Sequence, residues 1–105
     1  MVTPVIPVIP EGYVQKMLNA LRVTSTELSI EEVTDLIYAA ANDINRQGVK
    51  VIDLEDPLTK QAVKLYIKAN YGYDAEQDRF RVAYEALSAA MALSGDYEED
   101  DPDDG

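Results

Sequence analysis

The 105-residue chain has no histidine, no cysteine and no tryptophan, and only one phenylalanine. Without imidazoles or thiols it cannot build a zinc site on those ligands, an iron–sulfur cluster, or a Ser-His or Cys-His nucleophile pair. It forms no disulfides, which is compatible with an intracellular protein. Carboxylate, lysine and tyrosine chemistry remains, but no spacing brings such groups together, so the expectation is not an enzyme. Basic residues are scarce: nine, against 20 acidic ones. Free binding to nucleic acid is disfavoured, because neutralising phosphates needs a basic surface. No run approaches the ~18 apolar residues of a membrane helix. The opening MVTPVIPVIP has three prolines and no basic residue, so it does not read as a signal peptide.

What is present falls into three segments. Residues 1–10 place prolines at 4, 7 and 10. A period of three matches polyproline II, with Val5, Ile6, Val8 and Ile9 covering the other edges of an arm that would reach about 30 Å. A disordered terminus is one reading. The other follows from the valine and isoleucine content, which disordered segments avoid: an apolar arm that lies on another subunit. Residues 96–105 hold seven acids and no base, leaving residues 1–95 at a net charge of −4. A tail of like charges with little to bury is expected to be mobile. Its carboxylates lack the spaced ligands, glycine and terminal glutamate of an EF-hand loop, and no glycine-rich phosphate loop occurs.

Residues 11–95 predict one all-α domain, a small bundle of about four helices. The first covers about 11–22, with Val14, Met17, Leu18 and Leu21 as its stripe. The second is expected to start at Ser29, where Ser29-Ile30-Glu31-Glu32 fits a capping box, and its stripe is Ile30, Val33, Ile37, Ala40 or Ala41, and Ile44. Gly48 suits the left-handed position after it. Residues 49–55 read as extended or looped. Asp56 as N-cap and Pro57 at the first helical position open a third helix that stops at Tyr71-Gly72. Asp74 is expected to cap a fourth, running to Ser94 and ended by Gly95.

That fourth helix is apolar on two faces. Phe80, Ala83, Tyr84, Leu87, Ala90 and Met91 make one, and Val82, Ala86, Ala89 and Leu93 make the other. Alanines are good helix formers and need no further reason. Yet so small a domain has too little interior to cover two faces, and the alternative is a subunit contact on the second. The third helix carries Lys60, Lys64 and Lys68 at i, i+4 and i+8, a repulsive spacing that something should offset. Glu31, Glu32 and Asp35 on the second helix can face that row from a neighbouring copy, a head-to-tail contact of the kind that closes rings. A solvated lysine face and contact with DNA phosphates are the other readings. Tyr66, Tyr71, Tyr73, Tyr84 and Tyr97 suit core and interface positions, since tyrosine packs a ring while its hydroxyl stays bonded.

The stretch from Asp56, DPLTKQAVKLYIKANYGYDAEQDRFRVAYEALSAAMALSGDY, resembles the head–tail connector (adaptor or head-completion) proteins of long-tailed bacteriophages. In that family a helix ends in a lysine-aromatic-glycine turn, here Lys68 to Asp74 with Tyr71, Gly72 and Tyr73. The next helix bears an aromatic–leucine series, here Phe80, Tyr84, Leu87 and Leu93, before Ser94-Gly95-Asp96-Tyr97. The resemblance implies a small all-α subunit of a homo-oligomeric ring, expected to be twelvefold, beneath the portal protein at the capsid vertex. Such rings extend the DNA channel after DNA packaging and present a platform to the next neck or tail-completion protein, without cofactors. In relatives the C-terminal helical region engages the portal, which points to Ala86, Ala89, Ala90, Leu93 and Tyr97. The proline arm and the acidic end are departures from the family pattern. Genomic DNA would pass without sequence-specific binding, helped by an acidic wall whose repulsion acts within about 8 Å at physiological salt. The rival from another class is a small acidic binding protein, such as a nucleic-acid mimic that occupies a basic partner.

Overall fold

The computed structural model describes residues 8–72 and 75–94. The expectations for Val5, Ile6, Tyr73, Asp74 and Tyr97, for the Gly95 stop and for the acidic segment 96–105 lie outside those residues. Among the described residues the fold is all-helical: α1 (Tyr13–Leu21), α2 (Glu27–Arg46), α3 (Pro57–Asn70) and α4 (Gln77–Ser94).

Local signals place most of the boundaries. In α1 the chain turns out at Arg22, whose φ is +58°, and the Val23 N–H returns to the Leu18 carbonyl at 3.0 Å. This is a Schellman ending built on arginine instead of glycine. Asp56 caps α3 by accepting from the Thr59 N–H at 3.0 Å, with Pro57 in the first turn, as the sequence predicts. Gly48 and Gly72 follow α2 and α3 with φ of +118° and +65°.

The start of α2 differs from expectation. Its N-cap is Thr26, and the reciprocal box joins Thr26 to Ser29, not Ser29 to Glu32. The Ser29 N–H donates to Thr26 Oγ1 at 3.0 Å, while the Thr26 N–H donates to Ser29 Oγ at 2.8 Å. Ser29 is buried, so its hydroxyl has to find partners inside the protein, and the earlier start supplies them through Thr26 and the Thr24 carbonyl. The helix thereby begins short of the core, and Ile30, assigned to the stripe, is exposed.

The core is one cluster drawn from all four helices, centred on Leu18, Val33, Ile37, Ile44, Val63 and Ile67. The segment between α2 and α3 contributes as well: Val49 and Leu54 are buried and plug the end of the bundle. Helix α3 packs against the other three, and α4 rests mainly on α3. The short α3–α4 connection makes the two antiparallel, as the Tyr66–Tyr84 ring pair at 5.2 Å and the Lys68 ammonium 5.3 Å from the Phe80 ring centre attest.

Tyr13 is a core residue the apolar spacing did not include. It is 3% exposed, and its hydroxyl has no hydrogen-bond partner among the described residues. Burial, with Asp53 nearby, pushes its pKa up to about 12. An unpaired buried hydroxyl costs about 1–3 kcal/mol. Tyr13→Phe keeps the ring and removes that group, so it is expected to raise stability by about 1 kcal/mol. A lower urea midpoint in the variant would refute this.

Candidate subunit interface

Helix α4 reaches the closed core along one line only. Tyr84, Ser88 and Met91 are buried, with Phe80, Leu87 and Ala92 half-buried beside them. Ala83 and Ala90, assigned to the core face, are exposed. Because α4 sits at the edge of the bundle against essentially one neighbour, only the centre of its broad apolar face is covered. On the opposite side Val82, Ala86, Ala89 and Leu93 are all exposed, Val82 by 62% and Leu93 by 87%. Their spacing of four, three and four residues makes a continuous stripe about 16 Å long. The two alanines in its middle leave room for another backbone to approach closely.

A polar cluster clamps the inner side of this helix to the end of α2. The Tyr84 hydroxyl donates to Asp43 Oδ2 at 2.5 Å, and Gln47 Nε2 donates to the same oxygen at 2.9 Å. Arg46 pairs with the other oxygen. Ser88 Oγ donates to Gln47 Oε1 at 2.8 Å. Burial pushes the Asp43 carboxyl up, but the hydrogen bonds from Tyr84, Arg46 and Gln47 outweigh it and hold the group below its ordinary range. Burial and the Asp43 charge drive the Tyr84 phenol far above its usual value. Near neutral pH, therefore, the pair neither gives nor takes a proton. The cluster ties the inner side of α4 to the end of α2, on the side away from the outer stripe. An open cleft of about 410 Å³ lies over the cluster, between Asn70, Arg81 and Glu85.

The sign of the pH dependence follows from Asp43. A depressed folded-state pKa contributes stability above the unfolded value, about 3.9, and loses it as pH falls through the folded value. Asp43→Asn is expected to be less stable than the parent at pH 7, with the difference closing below about pH 4. A constant gap from pH 7 to pH 2.5 in denaturant midpoints would contradict that.

The remaining candidates are scattered. Glu31, Glu32 and Asp35 are all exposed on α2, and burial together with the nearby Glu32 charge raises the pKa of the Tyr71 hydroxyl. Tyr71 itself packs half-buried against the core, and Gln77 Nε2 donates to the Gly72 carbonyl at 2.8 Å, tying the turn to α4. Lys60, Lys64 and Lys68 form the expected row on α3, all half-buried, with Lys68 laid over Phe80. Among the described residues no charge of α2 pairs with one of α3. The arm divides: Val8 is 88% exposed, but Ile9, expected on another subunit, packs on this chain's own core, because the turn at Pro10–Gly12 folds it back beside α1.

The Asp43–Tyr84–Gln47–Ser88 cluster escaped the sequence reading. Ser88, a hydroxyl set among the alanines and leucines in the middle of α4, was its visible sign. Among the described residues no group of three or more acidic side chains is placed to hold a metal ion. No described helix is long and apolar enough to cross a membrane. Compared with protein-family models, with curated proteins and with solved structures, the chain matches none.

Proposed function

We propose that the chain is a structural adaptor: a helical subunit of a ring, twelvefold by the resemblance, that joins the portal at a phage capsid vertex to the next neck or tail-completion protein. In this reading the protein resides in the virion, lengthens the DNA channel and acts on no substrate. The observation that carries it is the outer stripe of α4. Val82 and Leu93 are exposed on a helix whose other side is clamped in place, an arrangement that gains only when a second surface covers it. The order of motifs from Asp56 to Tyr97 supports the same reading. So does the charge balance, since a net negative subunit lets DNA slide past without sticking.

Contacts in such a ring would be heterologous, the α4 stripe of one copy meeting a different surface of the next. Each contact is small, and closing the ring adds avidity. Electron microscopy of the protein alone and mixed with the portal from the same genome tests the reading. A ring stacked coaxially on the portal is expected. Monomers that ignore the portal would sink it and favour a small acidic protein that occupies a basic partner.

A further inference from the structure

We infer that the lysine row of α3 is the docking surface for the acidic segment 96–105 of the same chain, an electrostatic strap laid back along the helix. Among the described residues the row enters no ion pair. All three ion pairs among the described residues use arginine, namely Arg46, Arg79 and Arg81, each with an acid three residues earlier. Lys60, Lys64 and Lys68 enter none of them. Their side chains are half-buried, so their stems lie along the protein while the ammonium groups line one edge of α3.

Of the three acids just before the row, Glu55 is exposed and enters none of these ion pairs, and the other two are engaged elsewhere. Asp56 turns its carboxylate to the Thr59 N–H at 3.0 Å, and Asp53 accepts from the Glu55 N–H at 3.0 Å. Lys60 also stands in the first turn of α3, where the positive end of the helix dipole adds to its charge. An anionic segment is favoured there on both counts.

The chain supplies one at the right place. Since α3 and α4 are antiparallel, α4 ends at Ser94 beside the first turn of α3. The next eleven residues hold seven acids and no base. They span up to about 36 Å when extended, whereas the row from Lys60 to Lys68 is about 12 Å long. Tethered this closely, the segment has an effective concentration in the millimolar range at the row. No free acidic peptide at ordinary concentration competes with that. The strap goes beyond the adaptor reading and does not require it.

The lack of cysteine makes the test clean, because Asp103→Cys gives a single site for a nitroxide label. In ¹⁵N-labelled protein at 50 mM salt, the label is expected to cut the amide signals of Lys60 and Lys64 at least twofold more than those of Lys16 and Lys50. Raising the salt to 1 M, where screening shortens to about 3 Å, is expected to restore them. Lys60→Gln with Lys64→Gln is expected to abolish the difference at low salt. Equal signal loss at all lysines, or loss centred on Arg46 and Arg81, would overturn the assignment. So would loss seen only when ¹⁵N-labelled, label-free protein is mixed with unlabelled nitroxide protein, since that would make the contact intermolecular.

Discussion

In the proposed ring, Ala86→Glu combined with Ala89→Glu is expected to raise the concentration needed for assembly at least 100-fold, while leaving the free subunit as stable as the parent. Both alanines are exposed in the middle of the outer α4 stripe. Glutamate is nearly as good a helix former as alanine, so the monomer has little to lose. In an assembled interface the same side chains would bury two unpaired charges, at several kcal/mol each. Even about 2.7 kcal/mol of that corresponds to two orders of magnitude in affinity. Asn42→Glu, an exposed change of charge on α2, serves as the control. Sedimentation velocity or mass photometry with and without the portal reads the outcome. If the double variant assembles as readily as the parent, the α4 stripe is not the interface.

Tyr84→Ala is expected to destabilise the subunit by about 3–5 kcal/mol, the usual range for emptying a buried aromatic site. Against a typical total of 5–15 kcal/mol this leaves a marginal protein. The ring is 4% exposed and packs edge-on against Tyr66 at 5.2 Å. Its hydroxyl is one of three donors that hold Asp43. Tyr84→Phe separates these contributions. It keeps the packing and removes one charge-assisted bond, so a loss of about 1–3 kcal/mol is expected. Urea unfolding followed by circular dichroism gives both numbers. A Tyr84→Ala loss below about 1 kcal/mol would mean that α4 is held by α3 alone and that the clamp to α2 is incidental.

The alanine pair and Tyr84 sit on opposite faces of one helix and were legible to different degrees. The outer stripe was readable because Val82, Ala86, Ala89 and Leu93 recur at helical spacing beyond what a small core can cover. Tyr84 was readable as a core residue but not as a clamp. Its partners Asp43 and Gln47 lie some 40 positions away in sequence, and no periodicity links a carboxylate on one helix to a phenol on another. Ser88 is bound to the same cluster from a position that looks like one more small helix former.

The ends of α3, the left-handed Gly48 and Gly72, and the stripe of α2 from Val33 to Ile44 were all determined by the sequence itself. Caps and apolar periodicity act within four or five residues, and such signals need nothing from the rest of the chain. Tertiary structure decided the cases where two local answers competed or where a face had to find its cover. Two capping boxes overlapped before α2, and the burial of Ser29 selected the earlier one. Ile9 folded back on its own core, and Ala83 and Ala90 stayed in solvent. The physical reason is common to all three: a side chain's burial depends on which distant element arrives over it, and that placement minimises exposed apolar area for the whole bundle at once.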